Sequence, residues 1–155
     1  MLAAFLKNWS HRVDTVPEYR QAGALPYSIV DGQMAFLLIT SRRTGRWIFP
    51  KGAIEPNMTA WESAAIEAVE EAGVTGEIDT QPIGSYRTSA GVDGVSLVDV
   101  DIYPLRVDLQ LEVWKEMDQR LRHWAVLDEA RRLMADPALG RLATMLHRRL
   151  LPPAT

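Results

Sequence analysis

Three glutamates, Glu67, Glu70 and Glu71, fall within five residues of an alanine-rich stretch running from Ala60 to Ala72. If that stretch is a helix turning about 100° per residue, the three carboxylates share roughly a 100° arc of one face. Like charges at this spacing repel, and the C-terminal turn of a helix disfavours negative charge further. A bound cation would relieve both penalties; a solvated acidic face is the competing reading. Carboxylate oxygens are hard ligands, so the cation they would suit is Mg²⁺, with Mn²⁺ as the alternative, rather than zinc.

The elements around these acids can be read from local signals. Thr59-Ala60-Trp61-Glu62 is a capping box that opens a helix, Ala and Glu carry it forward, and Gly73 is a natural left-handed stop. Ala64, Ala65, Ala68, Val69 and Ala72 form a small apolar face, so the helix packs on something. Upstream, Ala22–Val30 reads as a strand, Asp31-Gly32 as a hairpin turn, and Met34–Ile39 as a strand covered on both faces. Ser41–Arg46 is a basic loop, Trp47–Phe49 a short strand stopped by Pro50, and Lys51–Met58 a loop. Downstream, Glu77–Thr88 and Val95–Val107 read as strands joined by residues 89–94. The second alternates Val98, Val100 and Ile102 with Asp99, Asp101 and Tyr103.

Leu111–Gln119 is acidic and fits no element, while Arg120–Val126 reads as a last strand. Asp128 is placed to cap a helix reaching Met134, and Pro137–Leu150 reads as the final helix. Residues 1–20 are a lead-in, with Leu2, Phe5, Leu6 and Trp9 at the spacing of a short amphipathic helix. Strands, a helix, more strands and then helices give one mixed α/β domain, residues 21–151.

Composition narrows the function classes. The chain has 155 residues and a formal charge of -3, which gives no reason to expect nucleic acid as a partner. No window approaches a membrane span, and no cysteine is present, so disulfides, thiolate catalysis and cysteine-based zinc sites are excluded. A cytoplasmic location is the default expectation, and the sequence leaves a homodimer open. Of 17 basic residues only Lys7, Lys51 and Lys115 are lysines; the others are arginines, whose forked donors match phosphate oxygens in pairs. Placement, not number, makes an arginine evidence, and Arg42, Arg43, Arg46, Lys51 and Arg87 flank expected strand ends near the acidic helix. The five tryptophans fit core or interface positions better than a base-stacking role.

Counted from Gly52, the chain holds Gly52, Glu67, Glu70, Glu71, Gly73 and Val74 at the offsets of a 23-residue pattern. That pattern is Gly, five residues, Glu, seven residues, Arg-Glu, an aliphatic, any residue, Glu-Glu, any residue, Gly, an aliphatic. It resembles the box of the Nudix hydrolase family. Met58 and Ile66 stand where the box has Glu and Arg, and Ala68 where it has a larger aliphatic. Replacing both partners of a charged pair by apolar groups can be nearly neutral, whereas losing one strands the other. Ala24-Leu25-Pro26-Tyr27, residues 37–42, Arg46–Gly52 and Ile83–Arg87 are similar to the diphosphoinositol polyphosphate phosphohydrolase-like branch, in its bacterial members.

The resemblance implies an α/β/α sandwich with a mixed central sheet and a Mg²⁺-dependent pyrophosphohydrolase acting on a polyphosphorylated small molecule, such as a dinucleoside polyphosphate or an inositol pyrophosphate. It implies Glu67, Glu70 and Glu71 as metal ligands, joined by a backbone carbonyl near Lys51. A general base would be Glu70 in the box or Glu116 on a later loop, and Arg46, Lys51, Arg42, Arg43 and Arg87 would bind phosphate. The alternative is a degenerate module that binds a phosphorylated ligand or a protein without cutting it. A third reading is a plain α/β interaction domain, which would show no Mg²⁺-dependent change in stability.

Overall fold

The protein is described by a computed structural model that covers residues 20–90 and 96–153. The expected lead-in helix lies outside the described residues, apart from Arg20, which begins the first strand. Elements follow in the order β1 (Arg20–Val30), β2 (Gln33–Thr40), β3 (Trp47–Ile48), β4 (Lys51–Ala53) and α1 (Ala60–Glu67). A π-helical turn (Ala68–Ala72) continues α1. Then come β5 (Val74–Ile78), β6 (Gly84–Ala90), β7 (Ser96–Gln110), β8 (Arg122–Val126), α2 (Leu127–Leu133) and α3 (Pro137–Leu150).

Two long strands, β1 and β7, run parallel down the middle with Ala24 beside Tyr103; the other described pairings are antiparallel. Each changes its outer partner near that level. β1 pairs β4 through Gln21–Gly23 and β2 through Tyr27–Val30. β7 pairs β6 up to Ile102 and β5 from Leu105 onward. The splitting of β1 places Lys51 and Gly52 beside Gly23 and Ala22, at the centre of the sheet rather than on a loose loop.

Alternation along the strands sends side chains to two separate cores. On one face Ala22, Ala24, Leu37, Ile39, Tyr103 and Leu105 meet Ala64, Ala68 and Ala72 of α1 and its π turn. On the other, Leu25, Phe36, Leu38, Val100 and Ile102 meet Ala130 of α2 and Leu139, Leu142, Ala143 and Leu146 of α3. Those four α3 residues sit at i, i+3, i+4 and i+7, the spacing of one buried stripe. Helices on both faces of a mixed sheet are the α/β/α sandwich expected from sequence.

Several local readings are corrected. Lys51–Ala53, within the expected loop, forms β4 because β1 offers it a ladder edge. The single strand expected over Glu77–Thr88 is two, β5 and β6, broken at residues 79–83, where the Asp79 side chain accepts from the Gln81 amide ahead of Pro82. Ser89 and Ala90 belong to β6 rather than to its connection. α2 starts at Leu127 with Val126 in the cap position and no side-chain cap, so Asp128 lies inside its first turn. The helix Ala60–Ala72 is α only to Glu67.

Candidate active site

The acidic helix begins as expected. The Thr59 hydroxyl accepts from the Glu62 amide at 3.1 Å, and the Glu62 carboxylate accepts from the Thr59 amide at 3.1 Å. Beyond Glu67 the turn widens, so Glu67, Glu70 and Glu71 do not keep α-helical angular spacing; such π turns recur at functional sites. Gly73, at φ 67°, ends the segment in the left-handed conformation that glycine adopts without strain.

The carbonyls at that end find their partners in one distant stretch, residues 111–122. Glu70 O accepts from the Glu116 amide (3.1 Å) and Gly73 O from the Leu111 amide (2.7 Å). Glu71 O accepts from the Trp114 indole N–H (3.1 Å) and Ala72 O from Arg122 Nη1 (3.0 Å). The Arg122 guanidinium carbon lies over the Trp114 ring, 3.8 Å from its centroid. Four consecutive carbonyls left over by the helix are therefore satisfied by this strap. Docking it brings Glu116 and Arg120 to the acids.

Glu71 is 3% exposed. Arg120 Nη2 lies 3.3 Å from its Oε1, and the Lys51 amide points toward its Oε2 at 3.5 Å. Burial pushes the Glu71 carboxyl up to about 8; Arg120 pulls it down by less, while Glu67 and Glu116 push it further up. Burial, then the negative charges of Glu70 and Glu116, raise Glu67 to about 7. The Glu67 carboxylate occupies the space where residue 52 would carry a Cβ, so a side chain there would displace that carboxylate. Burial lowers the Lys51 ammonium, whose Nζ donates to Gln21 Oε1 at 3.3 Å.

These groups face a cleft of about 860 Å³. Glu67, Glu71, Glu116, Lys51 and Arg120 line it together with Arg42, Arg43 and Arg46 from the β2–β3 connection. Tyr86 and Thr88 of β6 and Asp136 and Leu139 beside the start of α3 complete it. Among the described residues the buried Tyr86 hydroxyl has no hydrogen-bond partner.

The family model for the NUDIX domain matches residues 20–145. The chain belongs to the Nudix family. This Nudix chain is 34% identical over 122 residues to Nudix hydrolase 4 of Arabidopsis thaliana, an alignment covering 73% of the chain and 58% of that protein. It is 36% identical over 124 residues to the mitochondrial Nudix hydrolase 16 of the same plant, covering 70% of the chain and 68% of that protein. The chain thus spans about three fifths of the length of the first of these relatives. Its fold matches the crystal structure of a C. elegans Ap4A hydrolase binary complex with a TM-score of 0.65 at 23% identity, over 85% of this chain and 97% of that one. Among the described residues no helix is long and apolar enough to cross a membrane.

Of the residues read from the Nudix sequence, Glu67, Glu71, Glu116, Lys51, Arg42, Arg43 and Arg46 meet at the cleft. Glu70 does not line it; its carboxylate faces Lys115 at 3.4 Å on the exposed side. Arg87 does not either. Its neighbours Tyr86 and Thr88 point to the cleft, so alternation turns Arg87 to the opposite face of β6, where it pairs with Asp99 at 2.7 Å. The Lys51 amide faces Glu71 Oε2 at 3.5 Å. Met58 is 40% exposed, so it does not replace its box counterpart by packing. Sequence reading missed Gln21, Tyr86 and above all Arg120. Its spacing of four residues from Glu116 was the available signal, and the two do pair at 3.2 Å.

A divalent cation fits this donor set. Among the described residues no three acidic or imidazole groups converge as a ready-made ligand cluster. Yet Glu67, Glu71 and Glu116 line one cleft, and repulsion among them persists beside Arg120, Lys51 and Arg42, so a dication would relieve it. Their donors are all oxygens, and burial, reinforced by the neighbouring acids, raises the proton affinity of the first two. The Lys115–Glu70 contact is largely exposed and costs little to release.

Proposed function

We propose that this Nudix domain hydrolyses a diphosphate linkage in a polyphosphorylated small molecule, a dinucleoside polyphosphate or an inositol pyrophosphate-like compound, with Mg²⁺ or Mn²⁺. The observation that carries the reading is the single cleft in which desolvated Glu67 and Glu71 and the loop acid Glu116 face Arg42, Arg43 and Arg46. The Ap4A hydrolase fold match and the resemblance to the diphosphoinositol polyphosphate phosphohydrolase-like branch support the substrate class. A cytoplasmic setting goes with this reading, although Nudix hydrolase 16 is a mitochondrial relative.

Glu67 and Glu71, with Glu70 once it leaves Lys115, would hold the cation. Bound there, it supplies charge neutralisation at phosphate oxygens and a site for the attacking water. Everything else falls to the chain. Arg42, Arg43, Arg46 and Lys51 take the remaining phosphates and orient the anhydride. Glu116, which lines the cleft outside the Glu67–Glu71 pair, accepts the proton of the water. The water oxygen bonds to phosphorus, the anhydride P–O bond breaks, and the leaving phosphate departs with the electron pair.

Met58 and Ile66 favour a second reading, a module that binds without cutting. Incubation with dinucleoside polyphosphates, inositol pyrophosphates, nucleotide sugars and nucleoside triphosphates, with Mg²⁺ or Mn²⁺, separates the two. Phosphate-bond cleavage in any class is expected. Binding to the same compounds without cleavage would establish the second reading instead.

A further inference from the structure

The helix that carries Glu67, Glu70 and Glu71 has no lysine or arginine of its own in its last turns. The buried positive charge at the centre of the site arrives from Arg120, whose side chain is 8% exposed. All three of its nitrogens are committed. Nη1 donates to the Thr40 carbonyl at 2.9 Å, Nε to Glu116 Oε1 at 3.2 Å, and Nη2 faces Glu71 Oε1 at 3.3 Å. The root of the side chain is equally fixed: Leu121 donates its amide to Thr40 Oγ1 at 2.8 Å and accepts from the Thr40 amide at 3.1 Å. A planar fork pinned at the end of β2 thus sets the separation of two carboxylates from different segments. It engages one oxygen of each; Arg42 approaches the same Oε1 of Glu116, at 3.5 Å.

We propose that Arg120 is a positioning residue for the hydrolysis inferred above, locking one oxygen of Glu71 and one of Glu116 so that the second oxygen of each is held for the cation and for the water. This rests on the hydrolase reading. A guanidinium that only balanced charge would not need three acceptors in fixed directions, and a lysine would serve as well. A guanidinium that aims the acids is not replaceable, because an ammonium cannot reach both carboxylates and the Thr40 carbonyl in one geometry.

The test uses the full chain and the variants Arg120→Gln, Arg120→Lys and Glu71→Gln, with thermal stability followed as Mg²⁺ is added and turnover measured separately. For Arg120→Gln the Mg²⁺ concentration at half-effect is expected to rise about ten- to a hundredfold, as when outer-shell partners of metal ligands are removed. Its kcat is expected to fall with KM for substrate nearly unchanged, since Arg120 acts on the acids and not on the phosphates. Arg120→Lys is expected to recover much of the metal-free melting temperature but little of the Mg²⁺ affinity. An unchanged or lower Mg²⁺ half-effect in Arg120→Gln, or full recovery by lysine, would overturn the positioning role while leaving the hydrolase reading intact. A wild-type chain whose stability ignores Mg²⁺ as completely as Glu71→Gln does would remove both.

Discussion

The two ends of the acidic helix are held by opposite means. At its start, Thr59 and Glu62 satisfy each other's amides three residues apart, and nothing distant is required. At its finish, the carbonyls of Glu70, Glu71, Ala72 and Gly73 depend on Leu111, Trp114, Glu116 and Arg122, and the buried acid Glu71 depends on Arg120. The first end is a stability device; the second couples stability to chemistry, because the strap that closes the helix also carries Glu116 and Arg120 into the cleft. A helix end can therefore tolerate clustered negative charge, against its own dipole, when a separate segment supplies both donors and a cation.

This contrast can be broken most severely at the finish. Glu71→Gln or Glu67→Gln is expected to cut turnover by at least about a hundredfold, as loss of a group that binds the catalytic cation should. Full turnover in either variant would dismiss the assignment of these acids. Gly52→Ala comes next: the added Cβ collides with the Glu67 carboxylate, a flexible group. Displacing that group should lower kcat about tenfold or more while the melting temperature stays close to wild type. A large thermal loss would show instead that Gly52 serves the fold.

The pH dependence sharpens the same comparison. Glu67 and Glu71 are raised from an ordinary 4.5 to about 7 and about 8, so the folded chain binds their protons more tightly than the unfolded chain does. Below pH 4.5 both states are protonated and the penalty is absent. As pH rises from there through 8, the metal-free protein should lose stability, and saturating Mg²⁺ should flatten that slope. Denaturant midpoints across this range, with and without Mg²⁺, would show it; a metal-free slope of the opposite sign would contradict the burial of these carboxylates. The smallest effect belongs to the start of the helix. Thr59→Ala is expected to cost about 1 kcal/mol of stability with kcat and the Mg²⁺ response unchanged.

What the sequence made legible follows from the same division. Signals that act over short range were readable: the capping box, the Gly73 stop, the Asp31-Gly32 turn and the final helix over Pro137–Leu150. The β-strand alternation also gave the faces of β7 correctly. The box spacing located Glu67 and Glu71, and the placement of the arginines found the β2–β3 lip. Misreadings arose where a partner far along the chain decides the outcome. β4 exists only because β1 changes partners, and Arg87 turns away because of the phase of β6. Residues 111–119 looked shapeless because their hydrogen-bond partners are the end of a helix rather than a neighbouring strand. The π turn, which frees Glu70 from the face shared by its neighbours, has no local sequence rule to announce it.

The strap has a consequence for how this gene can drift. Its donors at 111, 114, 116 and 122 are indexed to four successive acceptors, so the spacing between them is as constrained as their identities. Insertions and deletions should collect elsewhere, at solvent-facing connections such as residues 79–82, while the 111–122 interval keeps a constant length even as its exposed side chains, Glu112, Val113 and Asp118, vary freely.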